Sequence, residues 1–244
     1  MLLLAFETSA KAASAALLRD GALLGEYYQN SGQTHSRTVM KLAADLLENC
    51  DLAPKDVDLV AWANGPGSFT GVRIGAAAAK GFCWGLEAPC VPVSTLEAMA
   101  YSHQSAGCTV CACMDARRAQ VYNAIFSCRG AVERLRDDRA ISLEELAQDL
   151  AELEGEILLV GDGAQLTYDT LSERLPALRL APEHLRQQRA SGVALAAWAA
   201  YLRGEAASPA AVAPNYLRLS QAERERLARQ AAEPAPTESA SHPA

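Results

Sequence analysis

At 244 residues, half of them hydrophobic, the chain is long enough for one large domain or two smaller ones with a sizeable core. Its net charge of −7 argues against a broad basic face that binds nucleic acid unaided. There is no apolar run of about 18 residues, which excludes a membrane-spanning helix, and seven cysteines, an odd number, read as free thiols rather than as staples.

Met1–Phe6 is apolar, but it lacks a basic flank and is interrupted by Glu7. It is therefore expected to be a buried strand rather than a signal peptide, and the chain is expected to be cytoplasmic. The strand Leu2–Phe6 leaves the core at Glu7-Thr8-Ser9. Ala13–Leu18 and Ala22–Tyr28 flank Asp20-Gly21, a strong hairpin signal because the turn needs positive φ. After a polar loop, Ser36–Asp51 carries Val39, Ala43, Leu46 and Cys50 at helical spacing, with Met40, Leu42 and Leu47 broadening the stripe and Ser36 as N-cap. A stripe this wide is either well buried or an exposed patch that meets a partner.

Strand Val57–Trp62 then runs into Gly65-Pro66-Gly67-Ser68-Phe69-Thr70-Gly71-Val72-Arg73-Ile74-Gly75. A strand, a Gly/Pro turn and a helix over Gly71–Leu86 point free N–H groups at whatever lies over the turn. Gly65, Gly67, Ser68, Gly71 and Arg73 are thus candidates for a phosphate cradle, although no Gly-Lys-Ser/Thr closes the loop as in a Walker A. The alternative is close packing, since Gly67, Gly71 and Gly75 line one helix face with Ala79. Strand Pro89–Val93 and helix Ser94–Tyr101, capped by Ser94 or Thr95, end the first unit.

A second unit opens near Cys108. Strand Cys108–Asp115, a turn at Asp115-Ala116-Arg117-Arg118 and the alternating strand Gln120–Ser127 are followed by helix Ser142–Leu153, with a Ser142/Glu145 capping box. Strand Ile157–Val160 ends at Gly161-Asp162-Gly163. Helix Gln165–Leu175, strand Leu178–Ala181 and helix Ser191–Arg203 complete the unit. Cys108, Cys111 and Cys113 have a spacing that invites a metal, but no second Cys/His pair accompanies them, and Cys111 and Cys113 share a strand face like core residues. Ala222–Ala232 is helix-prone, and Pro234–Ala244 has the composition of a disordered tail. The expected fold is α/β with two lobes, residues 1–102 and 103–220, each a mixed sheet flanked by helices, followed by a segment 221–244.

This order of elements resembles the actin and sugar-kinase superfamily. Phe6-Glu7-Thr8-Ser9, His35-Ser36, the whole Gly65–Gly75 string, Ser94-Thr95-Leu96-Glu97, Met114-Asp115-Ala116-Arg117-Arg118 and Pro214-Asn215-Tyr216-Leu217-Arg218 are together similar to the TsaB (YeaZ) family, over roughly residues 1–220. That family works in the pathway that makes threonylcarbamoyladenosine on tRNA. The resemblance implies an actin-like (ASKHA) fold and a non-catalytic partner of TsaD. It also implies TsaE in a ternary complex, self-association into a homodimer, and contact with tRNA only indirectly.

The related TsaD carries a metal-binding His-x-x-x-His, and the matching place here is Thr95-Leu96-Glu97-Ala98-Met99. Thr95 and Met99 replace both histidines, and neither a hydroxyl nor a thioether suits a hard or borderline divalent ion, so no metal and no catalytic residue are expected. Thr8 and Ser9 keep polarity but lack the glycine that superfamily members carry there. With the glycine string they read as a vestigial nucleotide loop. No cofactor is expected to be required by this chain alone, ATP or ADP entering only in the complex. Gly161-Asp162-Gly163 stands where an adenosine-contacting turn lies. First-lobe helices form the family's contact surface, which makes Val39, Met40, Ala43, Leu46 and Leu47 the expected partner and dimer stripe. Arg73 is expected at an interface or in a structural pair, with Glu7 as one candidate partner. The competing readings are an ATP-dependent kinase-type enzyme and a peptidase, and for the latter the chain offers no Ser/His/Asp or Cys/His constellation.

Overall fold

One strand–helix motif is used twice in the computed structural model, which describes residues 1–218. The first half comprises β1 (Leu2–Glu7), β2 (Ala13–Arg19), β3 (Ala22–Gln29), α1 (His35–Asn49), β4 (Leu59–Ala63), α2 (Phe69–Leu86), β5 (Cys90–Val93) and α3 (Thr95–Tyr101). The second comprises β6 (Cys108–Asp115), β7 (Gln120–Cys128), β8 (Val132–Ser142), α4 (Leu143–Ala151), β9 (Ile157–Val160), α5 (Ala164–Leu171), β10 (Leu178–Leu180), α6 (Glu183–Arg186) and α7 (Ala190–Leu202). The sheets run β3-β2-β1-β4-β5 and β8-β7-β6-β9-β10, the same order in both halves. Each has an antiparallel meander and a parallel pair of strands added at its first strand. This is the two-lobed actin-like α/β fold.

The alternation of side chains along each central strand feeds two cores. Leu2, Leu4 and Phe6 of β1 join the core under α1 and α2, whereas Leu3 and Ala5 join the core under α7. In the second lobe, Cys111 and Cys113 lie among Leu146, Leu150 and Leu171 of α4 and α5. Val110, Ala112 and Met114 meet Leu96 and Met99 of α3.

The last pairing corrects the expected boundary at residue 102/103. The two halves exchange their final helices. The inner face of the second sheet is covered by α3, and that of the first sheet by α7, whose Val193, Ala194 and Ala197 pack on Leu3, Ala5, Ala16, Leu59 and Ala61. Polar contacts fix the choice for α7. Ser14 Oγ accepts from Ala190 N at 2.8 Å, and Glu26 Oε1 accepts from Ser191 N at 3.0 Å, placing a carboxylate at the N-terminal end of the helix. The helices cross closely because residue 192 is glycine, where a Cβ would stand 2.2 Å from the Ala98 carbonyl oxygen. The chain after α7 also returns to the first lobe, with Ala207 bridging to Cys90.

Other differences are local. The helix α1 starts at His35, so Ser36 is not its cap. Ser68 caps α2 by accepting from Gly71 N, two residues earlier than the pattern suggested. The strand β8 has no counterpart in the sequence reading. It is a charged edge strand with two register shifts, and its Glu133, Arg134, Arg136, Asp137, Asp138 and Arg139 hide the alternation that marks a half-buried strand. Both expected features within 221–244 lie outside the described residues. Among the described residues, no helix is long and apolar enough to cross a membrane.

Candidate functional site

The β1–β2 turn and the β4–α2 loop interlock. Thr8 Oγ1 donates to the Gly71 carbonyl at 2.8 Å, and Ser68 N donates to the Ser9 carbonyl at 2.7 Å. A Cβ on Gly71 would lie 2.1 Å from the Thr8 carbonyl oxygen, and one on Gly67 would lie 2.5 Å from that of Ser9. At Gly65 it would meet the Asn215 carbonyl oxygen at 2.3 Å. The space left by these glycines is thus filled by the chain's own backbone. His35 Nε2 donates to the Ala10 carbonyl at 2.7 Å and ties the start of α1 to the same turn. Arg73 does not pair with Glu7. Its Nε donates to the Tyr216 hydroxyl at 2.9 Å, and its guanidinium sits 3.8 Å from the centre of the Phe69 ring.

A cleft of about 440 Å³ opens where this interlocked pair faces the β6–β7 and β9–α5 turns of the second lobe. Ser9, Gly67 and Ser68 line it, together with Lys11, Asp115 and Asp162, whereas Thr8, Gly65, Gly71 and Arg73 do not. Behind it, Glu7 is fully buried. Its Oε1 accepts from Ser9 N at 2.5 Å, and its Oε2 has no partner, nor does Ser9 Oγ. Burial pushes the Glu7 carboxyl up to about 7 against the lowering effect of the Ser9 bonds, and the Asp162 charge adds to the rise. Asp162 is itself raised by burial, opposed by the bond from Gln188 Nε2 at 2.9 Å. Asp162 in the cleft and Glu7 behind it are thus carboxyls that resist ionising.

Thr95 and Met99 do not reach this cleft. Both are buried, Thr95 N donates to the Gly65 carbonyl at 2.9 Å, and Met99 Sδ abuts the Gly161 turn. Glu97 is engaged by Arg134 at 2.9 Å. Cys111 and Cys113 have sulfurs 3.5 Å apart in the core. Among the described residues, no group of three or more His, Cys, Asp or Glu is placed to hold a metal ion.

The expected partner stripe is corrected by burial. Val39, Ala43, Leu46 and Leu47 lie inside the first-lobe core between α1 and the sheet, so they are unavailable to another molecule. Only Met40 of the five is exposed, at 45%. The apolar surface on these helices lies instead on α2, where Trp84 is 66% exposed beside the outward row Ala77, Gly81 and Gly85. The sequence signal for this face is Gly81 and Gly85 inside the helix, just beyond the denser Gly65–Gly75 string.

A family model described as TsaD, tRNA N6-adenosine threonylcarbamoyltransferase, matches residues 28–226. The chain is 33% identical over 227 residues to the tRNA threonylcarbamoyladenosine biosynthesis protein TsaB of Bacillus subtilis (strain 168), covering 91% of this chain and 96% of that protein. The protein of the same name from Escherichia coli (strain K12) is 32% identical, over 73% of this chain and 79% of that protein. Among solved structures, YeaZ from Pseudomonas aeruginosa superposes with a TM-score of 0.75 at 28% identity, over 88% of this chain and 99% of that one. On this sequence coverage and shared fold, the chain belongs to the TsaB (YeaZ) family of tRNA threonylcarbamoyladenosine biosynthesis proteins.

Proposed function

We propose that this chain is a non-catalytic partner of TsaD in the threonylcarbamoyl transfer that forms N6-threonylcarbamoyladenosine on tRNA. The observation that carries the reading is the outward face of α2. A Cβ on Gly81 or Gly85 meets nothing within 4 Å, so neither glycine serves packing against the described residues. A glycine inside a helix costs about 1 kcal/mol relative to alanine. What it permits is close approach of another helix, and Trp84 supplies an apolar anchor beside that row, with Met40 exposed on α1. The match to the TsaD family model and the names of the relatives support a TsaD-type subunit as the occupant.

The non-catalytic half of the proposal is supported by Thr95 and Met99, which stand where the related TsaD carries its histidines and bring no chemistry suited to a divalent ion. In this reading ATP or ADP, TsaE and the tRNA belong to the assembled complex rather than to this chain alone.

The test is size-exclusion chromatography with light scattering on the chain with and without purified TsaD, for wild type and Trp84→Glu. Because Trp84 is exposed, the variant is expected to keep the wild-type circular dichroism and melting temperature. It should lose TsaD affinity by about a hundredfold, as for an aromatic hot spot. Wild-type affinity in the variant would remove α2 as the docking face. If a homodimer dissociates in the variant while the TsaD complex persists, the face serves self-association instead.

A further inference from the structure

The stretch from Glu205 to Arg218 runs back from α7 along the first lobe and then leaves it. Ala207 is bonded both ways to Cys90 at the edge of β5, at 2.8 and 2.9 Å. Lys80 Nζ donates to the Val212 carbonyl at 2.5 Å, and Asn64 Nδ2 donates to that of Ala213 at 2.8 Å. Asn215 N donates to the Asn64 carbonyl at 2.8 Å. The Tyr216 ring stacks on Phe69 with centroids 4.7 Å apart, and its hydroxyl accepts from Arg73. Two residues later, the Arg218 guanidinium donates to the Ala116 carbonyl at 2.8 Å, in the β6–β7 turn of the other lobe.

The turn so gripped is an unusual one. Arg117, Arg118 and Ala119 have φ of 66°, 56° and 54°, three successive non-glycine residues in the left-handed region. Each such residue costs on the order of 1 kcal/mol and persists only where its surroundings hold it. Part of that hold is local, since Asp115 Oδ1 accepts from Arg117 N at 2.7 Å. Arg218 supplies the hold from across the cleft, and Asn215, Tyr216, Leu217 and Arg218 all line that cleft. The two lobes are thus joined on one side by the crossing of α3 and α7, and along the cleft by this segment.

We propose that residues 205–218 form an intramolecular clasp that sets the separation of the two lobes and presses the β6–β7 turn against the cleft. A ligand seated between two lobes closes them by touching both. Here the chain's own segment makes that bridge, anchored along one lobe and hooked to the other by Arg218. The lobe separation is then a property of the polypeptide, present without any ligand.

Hydrogen exchange read by mass spectrometry on the full chain tests this, comparing wild type, Arg218→Ala and Tyr216→Phe. In Arg218→Ala, exchange in Asp115–Gln120 should rise by about tenfold, the effect of losing one hydrogen bond from a charged donor. Exchange in Asn64–Phe69 should rise by a smaller factor, with β1, β4, β6 and β9 unchanged. Tyr216→Phe removes only the acceptor for Arg73 and should give the same pattern more weakly, which keeps the test open should Arg218→Ala fail to fold. A rise confined to residues 205–218 would overturn the clasp, since the segment would then be a tether to one lobe. A uniform rise over all elements would overturn it as well, by making the segment part of the general core.

Discussion

Glu7 is a carboxyl whose environment holds it far from its ordinary behaviour. In an unfolded chain its carboxyl ionises near 4.5, whereas burial in the folded protein holds the proton to about 7. Between those values the folded state binds more protons than the unfolded one, so stability falls as pH rises from about 4.5 to about 7 and levels off above. The size is on the order of 3 kcal/mol. Glu7→Gln should remove most of this slope and should be the more stable protein at pH 8. Urea denaturation at pH 5 and pH 8 reads the difference directly; a gap as large in the variant as in wild type would mean that another group titrates. Asp162, also raised by burial, contributes a slope of the same sign. The position of Glu7 at the end of an apolar run was legible. Its burial was not, because the Asp162 that lies close enough to act on it comes from the other lobe. The packing role of the glycines at 67 and 71 was likewise readable as a pattern, while its target, the Thr8 and Ser9 carbonyls, was not.

At the scale of elements, local chemistry told most of the story. The bounds of β6 and β9 are those the apolar runs suggested, and the Ser142/Glu145 capping box stands as expected. The stripe on α1 was visible too, but a stripe says only that one face avoids water, not whether a sheet or another protein covers it. Burial decides for the sheet, with Leu46 2% exposed. Leu46→Ala should therefore lower stability by about 2–5 kcal/mol while leaving the proposed TsaD binding unchanged for the fraction that is folded. Thermal melting and a titration with TsaD separate the two effects, and a loss of affinity without a loss of stability would return Leu46 to the surface. β8 carries no such stripe: edge strands are charged, and Arg134 draws Glu97 of α3 and Asp138 of its own strand into one ionic group.

For the whole molecule, the duplication was perceptible as a repeated order of elements, but the exchange of helices was not. The helix α7 is apolar on nearly all sides, so its sequence carries no stripe that selects one sheet over the other. Selection comes from Ser14 and Glu26, which become partners only once the fold exists. A fragment ending at residue 102 would lack α7 and leave Leu3, Ala5, Ala16, Leu59 and Ala61 open to water. It is expected to lack a cooperative melting transition and to bind a hydrophobic dye, whereas the full chain should melt in one transition. A fragment that melts cooperatively would show that the first lobe is self-sufficient.

That exchange also sets a timetable during synthesis. The first sheet is complete in sequence once β5 has left the ribosome, yet its inner face must wait for α7, roughly 100 residues later. At about 5–20 residues per second the wait is on the order of 10 s. Throughout that interval a nascent chain displays an apolar sheet face with nothing to cover it, a natural substrate for chaperones that bind growing chains.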